Sequence, residues 1–306
     1  MTGGRRHPGA EAAEAFGWFK AHRWLIARRM AQFMFLAVFL TGPLFGLWIT
    51  KGTLAASKTL SVLPLTDPFI ALQSLFAGHI IATTGLIGAA IVLAAYALIG
   101  GRVYCAWVCP INLVTDAAYW LREKLAVGKG WQPDRHLRYW LMGGSLLASL
   151  ITGVVAWEAI NPITMLHRGL VFGTMFVGGL SWLLVVAVFL FDVFISRRGW
   201  CGHVCPVGAF YGLVGRFGLL RVSAWRRADC DDCMDCFVVC PEPHVITPAL
   251  RGQGDESPII ASIDCSNCGR CIDVCSKSVY RFSHRFDMVV EPAGSAPGVA
   301  EEKRVA

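Results

Sequence analysis

Cys230-Asp-Asp-Cys233-Met-Asp-Cys236-Phe-Val-Val-Cys240-Pro241 and Cys265-Ser-Asn-Cys268-Gly-Arg-Cys271-Ile-Asp-Val-Cys275 are one rhythm written twice. In this spacing three thiolates of a run hold one [4Fe-4S] cluster and the fourth reaches across to the other. The sets expected on that rule are Cys230, Cys233, Cys236 with Cys275, and Cys265, Cys268, Cys271 with Cys240. A structural zinc site or a disulfide framework is the plainer alternative, but zinc sites close on four ligands in pairs and rarely show a doubled x2, x2, x3 spacing. Ser276 follows the second run where Pro241 follows the first, which alters a turn and leaves the ligands intact. No C-x-x-C-H occurs, and covalent haem is not expected.

The rest of the chain is apolar. Of 306 residues 55% are hydrophobic and 16% charged, and the mean hydropathy is +0.52, too apolar for a soluble domain of ordinary composition. Four stretches are long enough to cross a hydrocarbon core of about 30 Å, which takes roughly 20 residues of helix: approximately Met30 to Ile49, Ile80 to Ile99, Tyr139 to Trp157 and Leu170 to Ile195. The first is longer than a signal-peptide core and lacks a small-residue cleavage site, so it is taken as a span.

Basic residues set the expected orientation. Arg5, Arg6, Lys20, Arg23, Arg28 and Arg29 precede the first span, and Arg102, Arg122, Lys124, Lys129, Arg135 and Arg138 separate the second from the third. The other connections hold only Lys51, Lys58 and Arg168, which places both termini in the cytoplasm of a multi-pass inner-membrane protein. The net charge of +7 follows from that topology, and no motif supports a nucleic-acid partner. The predicted fold class is a four-helix membrane protein, built as two repeated hairpins, with a C-terminal α+β ferredoxin-like domain for two clusters. Its expected parts are a cytoplasmic N-terminal segment 1–29, a membrane domain 30–217, the ferredoxin-like domain 218–291 and a tail 292–306 without periodicity, read as disordered. Gly252 to Pro258 reads as a surface loop.

Within the membrane part, Arg102-Val-Tyr-Cys105-Ala-Trp-Val-Cys109-Pro110 is repeated as Arg198-Gly-Trp-Cys201-Gly-His-Val-Cys205-Pro206. Asp67-Pro68 and Asn161-Pro162 mark corresponding outer turns, which suggests two related hairpins. On a helix the i, i+4 spacing puts both sulfurs of a pair on one face. The repeat then brings Cys105, Cys109, Cys201 and Cys205 together as a four-thiolate site near the cytoplasmic face, binding a metal or cluster or cycling between dithiol and disulfide. Simple packing of buried thiols is the plainer alternative, against which the repetition weighs.

Quinol oxidation sheds protons with its electrons and needs an acceptor beside an apolar pocket. Asp67, Gln73, His79, Glu158, Asn161, His167 and Arg168 all fall on the expected outer side, and His79 and Glu158 are the favoured candidates for a quinol site. Trp48, Trp157 and Trp182 are read as interface or core aromatics.

Tyr104-Cys-Ala-Trp-Val-Cys-Pro110, Trp200-Cys-Gly-His-Val-Cys-Pro-Val-Gly-Ala209 and Cys233-Met-Asp-Cys-Phe-Val-Val-Cys-Pro-Glu-Pro-His244 resemble the NapH/MauN family of membrane ferredoxin-type proteins. Leu65-Thr-Asp-Pro68, Leu72-Gln-Ser-Leu75 and Trp157-Glu-Ala-Ile-Asn-Pro162 extend the likeness over nearly the whole chain. The resemblance implies a subunit that oxidises quinol in the bacterial inner membrane. It also implies a periplasmic iron-sulfur partner, NapG, that carries electrons toward the periplasmic nitrate reductase. It carries over the eight ferredoxin cysteines and both Cys-x3-Cys-Pro pairs, and no quinol ligand. Relatives linked to nitrous oxide respiration carry a large outer flavin domain, for which these loops are too short. The alternative function is a redox protein for assembly or maturation of a periplasmic metalloenzyme, as in methylamine utilisation.

Overall fold

A computed structural model describes residues 7–128, 130–171, 180–252, 257–292 and 294. The chain divides into two compact units, one of Arg29–Phe217 and one in which the N-terminal residues through Arg28 join those from Gly218 onward.

In the Arg29–Phe217 unit the long helices follow the apolar stretches, with shifted ends. Arg23–Phe45 is, among the described residues, the one helix long and apolar enough to cross a membrane. Thr83–Ile99 and Leu137–Thr152 stop at Gly100 and at the left-handed Gly153, which takes the helix C′ conformation without a Cβ penalty. The third expected span therefore ends five residues early, and Ala156–Ile160 forms a separate 3-10 turn. Of the fourth, helices Pro162–Val171 and Leu180–Leu190 and a π-turn at Phe191–Ile195 are described, and 172–179 lie outside the described residues. Residues 253–256 of the expected surface loop and nearly all of the expected tail lie outside them too.

The first outer connection is not a bare loop. Thr50–Gly52, Ala56–Thr59 and Leu63–Thr66 form an antiparallel three-stranded sheet in which Ser57 pairs with Leu65. Gly88 lets the third strand lie against helix Thr83–Ile99, since a Cβ there would come within 3.0 Å of the Pro64 carbonyl. Helix Pro68–Phe76 follows, capped by Asp67, whose Oδ1 accepts from the N–H groups of Phe69 at 2.8 Å and Ile70 at 3.3 Å. Asn161-Pro162 repeats the device: Asn161 Oδ1 accepts from the Ile163 N–H at 3.1 Å and opens helix Pro162–Val171.

These two short helices bury polar side chains expected at an outer face, and here the sequence reading is corrected. Asp67, Gln73, Asn161 and His167 are all buried, and Asp67 Oδ2 accepts from the Tyr211 hydroxyl at 3.5 Å. Trp157 stacks on Trp200 at 6.4 Å between ring centroids. Tyr211 and Trp200 belong to the second cysteine phrase and its following helix, so the Asx-Pro turns and the thiol phrases meet. Each Asx-Pro cap starts a helix that turns its apolar side back into the bundle, a move that hydropathy alone does not reveal.

The other unit is small and mixed. Strands Leu220–Ser223 and Arg281–His284 pair antiparallel with Val222 opposite Phe282. Short helices Asp235–Val239, Ile246–Arg251 and Arg270–Asp273 close a core of Val222, Ile246, Leu250, Ile260, Ile272 and Tyr280. The residues before Arg29, expected as a separate segment, belong to this unit. Asp235 accepts from the Gly9 N–H at 2.8 Å, and Asp273 accepts from those of Trp24 at 3.2 Å and Leu25 at 2.9 Å.

Candidate iron-sulfur site

The two cysteine runs share one backbone course. Asp232 and Met234 in the first adopt left-handed φ values of 59° and 65°, and Asn267 and Gly269 in the second adopt 47° and 73°. The same left-handed turns at corresponding places give the two runs a matching loop shape. Short polar Asp and Asn tolerate this conformation, whereas Met234 adopts it against its preference. Only Gly fits at 269, because a Cβ there would come within 2.8 Å of the Trp24 side chain. Side chains repeat as well: Cys230 Sγ stands 3.6 Å from Asp232 Oδ1, and Cys265 Sγ stands 3.5 Å from Asn267 Oδ1.

Three thiols of the first run and the last of the second converge. Cys230, Cys233, Cys236 and Cys275 line one cavity with Phe237, Leu250, Val274, Val279 and Tyr280. The Tyr280 hydroxyl donates to Cys236 Sγ at 3.6 Å and the Val279 N–H to Cys275 Sγ at 3.4 Å, so two polar hydrogens already point at ligand sulfurs. Cys271 has Cys268, Cys240 and Cys265 as its strongest thiol neighbours. Among the described residues no three ligand-type side chains sit close enough to share a single metal ion. Thiolates at the corners of a four-iron cube stand farther apart than that, and the donor set fits the cluster.

Charge differs between the two sets. Burial pushes the Cys275 thiol up to about 11. Burial also opposes ionisation of Cys268, yet Arg28 and Arg270 outweigh it and bring this thiol below its ordinary value. Around Cys230 and Cys233 the neighbours are Asp231, Asp232 and Asp235, with Arg251 also facing Cys230. Arg28 had no signal in the sequence beyond counting toward a basic N-terminus, and only the docked arm brings it to Cys268.

In the Arg29–Phe217 unit the paired thiols are not arranged as a plain helix would place them. Helix Val103–Trp107 ends before Cys109, and the Cys109 N–H bonds the Tyr104 carbonyl five residues back at 3.0 Å. Trp200–Val204 is a π-turn, closed by the Cys205 N–H on the Trp200 carbonyl at 2.9 Å. The two pairs nevertheless meet. A Cβ on Gly208 would lie 4.0 Å from Cys105 Sγ and 3.5 Å from the Cys201 carbonyl oxygen. Arg102 Nη2 donates to that carbonyl at 3.1 Å, and Arg138 Nη1 donates to the Gly202 carbonyl at 2.9 Å. Both guanidinium groups are buried.

The quinol candidates are not brought together. His79 is exposed in the segment between helices Pro68–Phe76 and Thr83–Ile99. Glu158 is half-buried, accepts from Asn161 Nδ2 at 3.2 Å, and faces Asp67 electrostatically. Asp67, expected among the outer-side groups and not favoured for the quinol site, is buried and accepts from the Tyr211 hydroxyl.

A family profile described as "4Fe-4S binding domain" matches residues 81–127 and 170–227, and one described as "4Fe-4S dicluster domain" matches 229–279. The chain is similar to "Methylamine utilization ferredoxin-type protein MauN" of Methylorubrum extorquens, 52% identical over 276 residues covering 90% of this chain and 94% of the relative. It is similar to the protein of the same name from Paracoccus denitrificans, at 54% over 265 residues and 87% and 90% of the two chains. "Ferredoxin-type protein NapH" of Escherichia coli is 47% identical over 288 residues, 94% of this chain and 98% of the relative. No solved structure matches.

Proposed function

This chain belongs to the NapH/MauN family of ferredoxin-type iron-sulfur electron-transfer proteins, and on that premise we propose that it is a membrane subunit that oxidises quinol. It passes the electrons, with a NapG-like periplasmic iron-sulfur partner, toward a periplasmic nitrate reductase. The observation that carries the reading is the convergence of Cys230, Cys233, Cys236 and Cys275, from both runs, on one cavity in a chain that also holds an apolar 23-residue helix. When bound, [4Fe-4S] clusters supply one-electron redox chemistry. Cys230, Cys233, Cys236 and Cys275 hold one and Cys265, Cys268, Cys271 and Cys240 the other. Tyr280 and the Val279 amide give hydrogen bonds to the first set, and Arg28 and Arg270 place positive charge beside the second.

For the substrate, the buried Asp67 and its neighbour Glu158 are the carboxylates available to take a proton within the Arg29–Phe217 unit. The four apolar stretches lie in the inner-membrane bilayer as two repeated hairpins, with N- and C-termini cytoplasmic. Reporter fusions after Gly130 and near Ser57 test this: the first should read cytoplasmic and the second periplasmic.

The second reading, a maturation protein of a periplasmic metalloenzyme, is favoured by the similarity to methylamine-utilisation proteins. Anaerobic mixing of purified protein with a short-chain quinol separates the two. Electron transfer from quinol requires bleaching of the cluster absorbance within the mixing experiment. A chain fully loaded with iron that dithionite reduces and quinol does not would favour maturation.

A further inference from the structure

We propose that Cys105, Cys109, Cys201 and Cys205 together hold one further iron-sulfur cluster, shared between the two halves of the repeat. This site goes beyond electron entry from quinol and does not depend on it.

The count of ligands comes first. Each of the two segments matched as "4Fe-4S binding domain" contains a single cysteine pair, Cys105 with Cys109 in 81–127 and Cys201 with Cys205 in 170–227. Neither half has the four thiolates that such a cluster takes, and the two together have four.

Geometry then joins the halves. A Cβ on Gly208, three residues after Cys205, would be in ordinary contact with Cys105 Sγ at 4.0 Å, which places that thiol against the second phrase. Arg102 lies beside Cys105 and also donates to the Cys201 carbonyl, so one buried cation spans both pairs. Cys201 has Cys109, Cys205 and Cys105 as its thiol neighbours, the same relation that Cys271 bears to Cys268, Cys240 and Cys265. The second cysteine of each pair is placed alike. The amides of Ile111 and Asn112 face Cys109, and those of Val207 and Gly208 face Cys205, although at Cys205 no bond short enough to count as a side-chain cap forms. In both places Cys-Pro precedes a helix, Ile111–Lys124 or Pro206–Val214, whose first-turn amides favour negative charge on sulfur.

Charge decides between the alternatives. Four thiolates on an oxidised [4Fe-4S] core leave a net charge of about −2, and a buried charge must be paired. Arg102 and Arg138, both buried, supply the opposing charge. Four neutral thiols packed as small hydrophobes would need neither guanidinium. A single zinc ion would need three or more ligands drawn tightly together, which the described residues do not contain.

The test is a metal count on the full chain, purified and reconstituted anaerobically in detergent. About twelve iron and twelve acid-labile sulfide per chain are expected in the unaltered protein, against about eight in Cys105→Ser/Cys109→Ser and the same in Cys201→Ser/Cys205→Ser. Both double variants should lose the same electron paramagnetic resonance signal and keep the two signals of the ferredoxin-like unit. Eight iron in the unaltered chain overturns the proposal, as do zinc in place of the extra iron or different losses in the two variants. Should the variants fail to accumulate, the count on the unaltered chain decides alone.

Discussion

The backbone N–H of Cys205 closes on the carbonyl of Trp200 at 2.9 Å, five residues back along the chain. Cys109 and Tyr104 repeat that bond at 3.0 Å, so the repeated phrase is also a repeated shape. An ordinary helical turn would have continued past the second cysteine. The wider turn stops there instead, and at Pro206 a new helix begins with proline at its first position. Each phrase thereby presents its thiols at a break between helices.

The phrases touch through glycine. A Cβ on Gly101 would overlap the Tyr211 carbonyl and the Gly215 backbone. Gly101→Ala should therefore cost about 3 kcal/mol or more, since two backbones and no flexible side chain would have to move. Folded protein recovered in detergent, and its melting temperature, should fall sharply. Gly143→Ala meets nothing within 4 Å and should behave like the unaltered chain. Equal behaviour of the two variants would contradict the close approach.

The docked N-terminal arm is a second expectation. Asp273 receives the Trp24 and Leu25 amides, and removing the carboxylate strands two partly buried donors at a cost of about 1–3 kcal/mol each. Asp273→Ala should open the arm to limited proteolysis around Phe16 to His22 while the Cys230 centre keeps its signal. Unchanged cleavage would mean that the arm is held by other contacts.

Arg28 should set a potential. Its positive charge beside Cys268 favours the more negative, reduced state of the centre bound there. A buried charge interaction of about 1–2 kcal/mol corresponds to a shift on the order of 60 mV for one electron. In a redox titration Arg28→Gln should move one centre to lower potential and leave the other in place, and Arg28→Lys should restore most of the shift. A uniform shift of both centres would point to a general loosening.

What the sequence made legible is what spacing and hydropathy encode. The eight cysteines, the repeated phrase and the apolar stretches can all be read from residue order, and the interleaved sets are the expectation that their spacing raises. The left-handed residues at Asp232 and Asn267 were hidden, because Asp and Asn serve equally well in ordinary turns. The burial of Asp67 was hidden as well: Asp-Pro signals a turn or a helix start, and nothing local says that the helix folds back toward Tyr211. Arg28 counts in the sequence only toward the basic stretch before the first span, and its burial depends on an arm docked by Asp235 and Asp273, more than 200 residues away.

The crossed ligation of the two runs is the centre of the account, and Cys240→Ala tests it most directly. Cys240 belongs by sequence to the run of Cys230, Cys233 and Cys236, and by its neighbours to the set of Cys265, Cys268 and Cys271. In dithionite-reduced protein examined by electron paramagnetic resonance, Cys240→Ala should lose the signal that Cys268→Ala loses and keep the one that Cys233→Ala loses. If Cys240→Ala instead loses the Cys233 signal, each run holds its own cluster and the interleaved arrangement is wrong.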